Sequence, residues 1–501
     1  MKLNILIGGK AGQGIGKISS IVSNILAKYG YSTFNYRDYQ SLIRGGHNFN
    51  ILTISDRQIS SNGSKLDGII ALDDKTPELH KEKLKENGFI VSPESFEDLG
   101  RNLNVALAGA LIKILGIDKE ILTEEIKEQL GEEAVIAAEK GYESQKVRFN
   151  LERQEKDIKI MSGSQAIALG AENSGLDFYF AYPMTPATEV LNELAKSKKV
   201  KVFQPESEIS TINIALGTSF TGKKAMVGTS GGGFDLMTEA LSFQGQSEIP
   251  LVIYLATRPG PGTGLPTYTM QADLNVALGA GHGEFPRIVI SPGDIIESIE
   301  KTNEAFYLTQ KFNTVAILLS DKHLAENEFS FDKKPNEILK IEERTDTPGK
   351  KIIKKSSYEH DEEGNTIELG EIAVKNAEKR LEKEKQIKKE AEKFEMFKIH
   401  GKKDSKNLIL GFGSTKGVIL DSIEDLDVKF LQIIYLEPFS NQVKKEIEKA
   451  DKVISIELNS TAQLAKLIKK QTGIEIQNKI LKYDGRPFTN DELKNKIEEL
   501  I

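Results

Sequence analysis

The chain has 501 residues, of which 39% are hydrophobic and 28% charged, an ordinary globular balance that at about 150 residues per domain allows for three domains. Its 67 Lys and Arg stand against 74 Asp and Glu, a net charge of −7, so no general attraction to nucleic acid or to an anionic membrane is expected. It contains no cysteine, which excludes disulfides, a cysteine nucleophile and an iron–sulfur cluster held by the chain's own thiolates.

The amino-terminal residues Met1–Gly9 carry one Lys and a short apolar run broken by Asn4, unlike a signal peptide. No apolar run reaches the ~20 residues needed to span a bilayer, and a cytoplasmic protein is expected. Residues 1–150 read as a first α/β domain. Leu3–Ile7 is a strand, followed by the loop Gly8–Gly16 and a helix in which Ile18, Ile21, Val22, Ile25, Leu26 and Tyr29 recur at helical spacing. Gly30 stands where a C-cap belongs. Further strands are predicted at Phe49–Ile54, Gly68–Leu72 and Phe89–Val91, with an apolar helix over Val105–Leu115.

The loop Gly12-Gln13-Gly14-Ile15-Gly16 is neither a dinucleotide fingerprint nor a phosphate-binding P-loop, because its spacing fits neither. It is a tight strand-to-helix turn whose N–H groups either take an anion or simply turn the chain. Arg44-Gly45-Gly46-His47 is a second permissive loop with cationic capacity.

Charged residues 139–159 read as a linker. A second α/β domain follows at 160–335, with strands at Phe178–Tyr182, Val200–Phe203, Ala225–Gly228, Leu251–Leu255 and Val315–Leu319 separated by patterned helices, which predicts a parallel sheet. Residues 336–405 form a charged connector, with a solvated helix over Asn376–Phe397. From 406 to 501 the α/β alternation returns, with strands at Leu408–Phe412, Phe430–Ile434 and Val453–Ile456.

In the second domain, Tyr182–Glu189 ends a strand and opens a helix, with Thr185 as predicted N-cap and Pro186 at the first helical position. Gln204-Pro205-Glu206-Ser207-Glu208 places two carboxylates where another helix starts, which by itself suits the helix dipole. Thr229–Gly233 lets backbone approach a ligand closely. Arg258–Thr267 is too rich in Pro and Gly for regular structure, and its Arg and hydroxyls after a strand suit a small anion. The six histidines show no zinc spacing.

Taken in order, these motifs resemble the alpha subunit of 2-oxoacid:ferredoxin oxidoreductases. Tyr182–Glu189 resembles the family's YPITPST, Gln204–Glu208 its Q-x-E-x-E, Thr229–Gly233 its TSGPG and Arg258–Thr267 its RGGPSTGLPT. Gly281–Arg287 matches its GGHGEFPR, Glu359–Gly364 matches EHDExG and Asp484–Phe488 matches DGRPF. The first domain is similar to the family's gamma subunit, so the chain resembles a fused gamma–alpha arrangement. The resemblance implies three α/β parts: a gamma-like domain, a pyrimidine-type thiamine diphosphate domain, and a transketolase C-terminal-like domain.

The resemblance also implies the chemistry. A 2-oxoacid is decarboxylated on thiamine diphosphate, the electrons pass to ferredoxin, and coenzyme A takes the acyl group. By motif position Glu206 is the catalytic glutamate bonded to the aminopyrimidine, with Glu208 as neighbouring support. Arg258, Thr185 and Thr267 bind the 2-oxoacid, a bidentate Arg suiting a carboxylate better than Lys. Gly12, Gly14 and Arg44 are the expected coenzyme A contacts. The chain lacks cysteine and a diphosphate–magnesium motif. Magnesium and the iron–sulfur cluster are therefore expected from a separate beta subunit, with the cofactor at the interface of a hetero-oligomer. Met184, Pro259, Gly262, Gly232 and Ala462 depart from the family pattern, and the changes in the Arg loop bear on which 2-oxoacid is taken. A non-redox thiamine enzyme and a non-catalytic scaffold are the alternatives.

Overall fold

The computed structural model describes residues 1–41 and 46–501, so Arg44 lies outside the described residues. The chain divides into two compact units. One contains Met1–Met161, Asn327–Lys333 and Phe488–Asn495, and the other contains Ser162–Glu326, Lys334–Pro487 and Lys496–Ile501.

The first unit is built on a mixed sheet. β1 (Lys2–Lys10) pairs antiparallel with β3 (His47–Ser55) and parallel with β4 (Leu66–Ala71). β5 (Leu84–Val91), β2 (Ser32–Asp38), β6 (Lys159–Ser162) and β13 (Glu328–Phe331) complete the order β5-β4-β1-β3-β2-β13-β6. Residues around β13, expected with the second domain, thus belong to the first unit. β2 is not among the predicted strands because its polar residues are buried rather than turned to water. Asn35 receives a hydrogen bond from Asn50 at 3.2 Å and donates to Glu328 at 2.7 Å, so interior polar groups are satisfied across the strands.

The Ile15–Lys28 helix buries Ile18, Ile21, Val22, Ile25 and Leu26. It stops at Gly30 (φ 84°), where the N–H groups of Gly30 and Tyr31 return to the carbonyls of Ala27 and Leu26, a Schellman stop that a residue with a side chain fits poorly. The helices Leu103–Leu115 and Glu132–Glu143 pack backbone to backbone. A Cβ at Gly141 would lie 1.8 Å from the Ala106 carbonyl oxygen, and one at Gly109 would lie 2.0 Å from that of Ala138. The second of these helices runs to Glu143, into the segment expected as linker, because Ala137, Ala138 and Gly141 form its packing face.

The second unit holds two sheets. In the first, β7 (Phe178–Phe180), β8 (Lys201–Phe203), β9 (Ala225–Thr229), β10 (Leu251–Thr257), β11 (Arg287–Ile290) and β12 (Val315–Asp321) run parallel. An antiparallel edge strand, β17 (Tyr435–Glu437), joins beside β11. The order is β17-β11-β12-β10-β9-β7-β8. All seven residues of β10 are buried, as a strand covered on both faces requires. The chain leaves β7 toward one edge and β9 toward the other, so the ends of these neighbours form a topological switch point. The second sheet has the order β14-β16-β15-β18-β19, with β14 (Phe397–Gly401), β15 (Asn407–Phe412), β16 (Lys429–Ile433), β18 (Lys452–Glu457) and β19 (Asn478–Leu481). Only β14 pairs antiparallel there. One core joins the two sheets, Val227, Ile253 and Ile317 meeting Leu408, Leu410 and Leu431.

The charged helix spans Gly370–Ala391 and is not solvated all round. Ile387 and Ala391 are buried in a core with Phe306 and Tyr435. Glu390 accepts from Tyr307 at 2.9 Å, and Lys379 pairs with Glu248 at 3.2 Å. Its Lys and Glu residues hide a short apolar face that the charge pattern masks.

Candidate functional site

The predicted site residues of the second unit come from segments that leave the carboxyl ends of adjacent parallel strands. After β7 the chain turns through a cis Thr185–Pro186 peptide, and the helix begins only at Thr188 with Ala187 as its cap. Thr185 is therefore not the N-cap and Pro186 is not the first helical residue. Instead the Thr185 carbonyl accepts a hydrogen bond from Arg258 Nη1 at 2.8 Å, which ties the loop after β7 to the loop after β10. Arg258 is half-buried. Burial lowers its pKa, and the charge of Asp273 pulls it back up.

The Arg258–Thr267 loop is ordered by its own backbone. Leu265 N–H donates to the Pro259 carbonyl at 3.1 Å, and Gly264 (φ 54°) passes so close that a Cβ would lie 1.9 Å from the same oxygen. The DGRP segment supports it. Thr269 N–H donates to the Gly485 carbonyl at 3.0 Å, and the Arg486 guanidinium lies 4.1 Å from the Tyr268 ring centre. Thr267 is buried, and its Oγ1 has no hydrogen-bond partner among the described residues.

The two candidate glutamates part company. Ser207 caps the Glu208–Phe220 helix, its hydroxyl accepting from Ser210 N–H at 3.2 Å. Glu206 lies outside the helix and is exposed. It accepts a hydrogen bond from the Ser210 hydroxyl, which holds its carboxyl below the usual range. Glu208 is only 4% exposed. Its Oε1 would be 2.8 Å from a Cβ on Gly233, so the glycine of the Thr229–Gly233 loop is what admits the carboxylate. No hydrogen bond to the Glu208 side chain is found among the described residues. In the same Thr229–Gly233 loop, the Ser230 hydroxyl is buried without a hydrogen-bond partner among the described residues. Gly232, where the family motif has Pro, meets nothing within 4 Å, so crowding does not dictate that departure.

The comparisons with known proteins cover the whole chain. Residues 169–396 match the family described as pyruvate flavodoxin/ferredoxin oxidoreductase, thiamine diP-bdg, and residues 4–144 match pyruvate ferredoxin/flavodoxin oxidoreductase. The 2-oxoacid:ferredoxin oxidoreductase subunit alpha of a Sulfolobus species is 32% identical over 100% of this chain and 97% of that one. The chain belongs to the 2-oxoacid:ferredoxin oxidoreductase alpha-subunit family. The alpha subunit of 2-oxoacid:ferredoxin oxidoreductase 1 from Sulfurisphaera tokodaii is 31% identical over 100% of this chain and 98% of its own. A 2-oxoglutarate:ferredoxin oxidoreductase from Magnetococcus marinus, solved with 2-oxoglutarate, coenzyme A and succinyl-CoA bound, superposes with a TM-score of 0.91 at 26% identity. That match covers 99% of each chain.

Two of the alpha-subunit motifs lie away from the carboxyl ends of these strands. Gly281–Arg287 leads into the start of β11, the opposite end of the parallel sheet. There Phe285 fills the space left by Gly245, and the Arg287 guanidinium lies 4.5 Å from the Phe285 ring centre. Glu359 accepts from Asn376 at 2.7 Å and from Gln246 at 3.2 Å, fastening the charged helix. Asp361 accepts the N–H groups of Glu363 and Asn365 in a tight turn.

In the first unit Gly12 (φ 90°) and Gly14 (φ 82°) take conformations that side chains disfavour. The loop is held by Gln13, which accepts from Lys10 N–H at 2.6 Å and donates to the Leu72 carbonyl at 3.1 Å. Among the described residues no helix is long and apolar enough to cross a membrane, and no group of three or more acidic or histidine side chains is arranged to hold a metal ion.

Sequence reasoning missed Asp273. It lies six residues beyond Thr267, and only its return through space onto Gly231 of the Thr229–Gly233 loop brings it to the site.

Proposed function

We propose that this alpha subunit binds a 2-oxoacid and faces thiamine diphosphate at the crevice between the ends of β7, β9 and β10. The overall reaction is 2-oxoacid plus coenzyme A plus two oxidised ferredoxins, giving acyl-CoA, carbon dioxide, two reduced ferredoxins and a proton. The observation that carries this reading is the Arg258 guanidinium, half-buried at the switch point, tied to the Thr185 carbonyl and joined in sequence to a buried, unpartnered Thr267 hydroxyl. Arg258 anchors the substrate carboxylate, and Thr185 and Thr267 orient it. A buried hydroxyl without a partner is costly, and a substrate oxygen removes that cost.

The donor set also fits thiamine diphosphate. The cofactor needs a sheltered carboxylate for its aminopyrimidine and close backbone approach, which Glu208 and Gly231–Gly233 offer beside the orphan Ser230 hydroxyl. When bound, thiamine diphosphate supplies the carbanion that adds to the 2-oxo carbon and the electron sink that permits loss of carbon dioxide. We assign the aminopyrimidine-facing role to Glu208 in place of Glu206. A hydrogen bond of a carboxylate shielded from water is the stronger one, whereas Glu206 is exposed and already holds Ser210.

A beta subunit supplies magnesium, the diphosphate site and the iron–sulfur cluster, since this chain has no cysteine. The exposed Tyr182, Ile209 and Leu236 lie in segments that follow the strand ends and the exposed Phe203 is the last residue of β8, an apolar rim suited to such a subunit. The Gly12–Gly14 turn, with Arg44, offers N–H groups and a cation to coenzyme A.

The test is acceptor reduction by the native complex, purified without oxygen. The expected result is dependence on both a 2-oxoacid and coenzyme A, with a cysteine-rich subunit co-purifying. Turnover of the 2-oxoacid without acceptor reduction would instead make this a non-redox thiamine enzyme. No 2-oxoacid chemistry in the intact complex would make the chain a scaffold.

A further inference from the structure

Asp321 is the last residue of β12, and the parallel pairing sets it level with Thr257 of β10, the residue before Arg258. Its side chain is buried at the carboxyl ends of these strands, where three donors converge on it. Thr269 Oγ1 donates to Oδ1 at 3.1 Å, Leu324 N–H donates to the same oxygen at 3.2 Å, and the Ser414 hydroxyl donates to Oδ2. A carboxylate, which only accepts, suits that set. Thr269 Oγ1 also accepts from His323 N–H at 3.2 Å, so its single proton is committed to Asp321. With Asp273, Thr257 and Gln271, Asp321 lines a cavity of about 10 Å³. That is room for one water and not for a 2-oxoacid, so Asp321 reaches the substrate only through the groups it holds.

Those groups hold the Arg258–Thr267 loop. Thr269 lies two residues beyond Thr267, and the base of the loop is closed by Thr257 Oγ1, which donates to the Met270 carbonyl at 2.5 Å. The next residue is fastened separately to the strand ends of the second sheet. Gln271 Nε2 donates to the Phe412 carbonyl at 2.8 Å, and Gln271 N–H donates to the Leu458 carbonyl at 2.7 Å. Ser414 follows β15 of that same sheet, so Asp321 clamps the loop between the strand ends of both sheets. We propose that Asp321 is a positioning residue which, through the Thr269 hydroxyl, sets Thr267 and Arg258 in register with the 2-oxoacid carboxylate. The inference rests on the reading of Arg258 and Thr267 as the groups that meet the substrate. Because Gln271 keeps the chain fastened, loss of the Thr269 contact shifts the loop and leaves the fold standing.

The test is steady-state kinetics of the intact complex with pyruvate and with 2-oxoglutarate as probes. Thr269→Val removes the hydroxyl and is expected to raise KM for the 2-oxoacid turned over by about tenfold, since small misplacements of binding groups are costly. KM for coenzyme A should keep its wild-type value. Thr269→Ser restores the donor and should bring KM back to within about twofold of wild type. Asp321→Ala should raise KM as Thr269→Val does, and the double variant should raise it no further, because both changes remove one contact. An unchanged KM in Thr269→Val overturns the proposal. So does a lowered kcat at unchanged KM, the mark of a residue that only holds the fold, and so does an equal rise in KM for Thr269→Val and Thr269→Ser. If Asp321→Ala fails to assemble, the two Thr269 variants decide alone. Arg258→Lys separates the two readings. A KM unchanged in that variant removes the anchor and the positioning together, whereas a raised KM there beside an unchanged one in Thr269→Val removes the positioning alone.

Discussion

At the scale of single residues, the crevice turns on which polar groups are already satisfied. Glu206 and Glu208 are two positions apart, yet one is exposed and bound to Ser210 while the other is buried against Gly233. The account predicts that Glu208→Gln lowers kcat by about 10³-fold or more, since it removes a bond needed in the transition state. Glu206→Gln should cost less than about tenfold, because only a surface hydrogen bond is lost. Single-turnover decarboxylation in the reconstituted complex reads both, and the opposite ranking would return the role to Glu206. Arg258→Lys should raise KM for the 2-oxoacid about tenfold or more with a smaller effect on kcat, because a lysine cannot reproduce a bidentate guanidinium contact. Steady-state kinetics across several 2-oxoacids measures this. An equal KM would argue against Arg258 as anchor.

At the scale of elements, the motifs were legible as motifs but not as places. The glycines, hydroxyls and charges of Tyr182–Glu189, Thr229–Gly233 and Arg258–Thr267 stand out in the sequence, and strand-to-loop transitions are visible from the apolar runs before them. The helix start after Thr185 was misplaced because Thr-Pro carries both a capping signal and a turn signal, and the turn won. β2 escaped because Phe34 and Tyr36 make only a short apolar alternation, and the polar residues between and around them are mostly buried, with Asn35 satisfied from neighbouring strands. The charged helix hid Ile387 and Ala391 among lysines and glutamates. The burial difference between Glu206 and Glu208 depends on Gly233, which is distant in sequence, and no local pattern encodes it.

Helix packing in the first unit gives an element-scale prediction. Gly141→Ala improves intrinsic helix propensity by about 1 kcal/mol but drives a methyl group into the Ala106 carbonyl, where overpacking costs about 1–3 kcal/mol. The clash should win. The variant is expected to melt several degrees lower by circular dichroism, and a raised melting temperature would contradict the backbone contact.

At the scale of the whole molecule, composition and chemistry agree on an incomplete catalyst. The chain brings carboxylate, guanidinium and hydroxyl groups to one crevice, and it has no thiolate with which to hold a cluster. On the proposed reading its electrons leave through another polypeptide, and activity is expected only in the complex. The broad architecture was readable from the sequence as three α/β parts because strands and helices alternate so regularly. The exchange of β13 into the first unit was not, because such pairing is set by tertiary register.

The most direct measurement is the balance of products and electrons in the anaerobically purified complex supplied with a 2-oxoacid, coenzyme A and an electron acceptor. The account predicts one acyl-CoA, one carbon dioxide and two electrons delivered per 2-oxoacid consumed, with none of the three in the absence of the 2-oxoacid. Carbon dioxide released with an aldehyde and no reduced acceptor would contradict it.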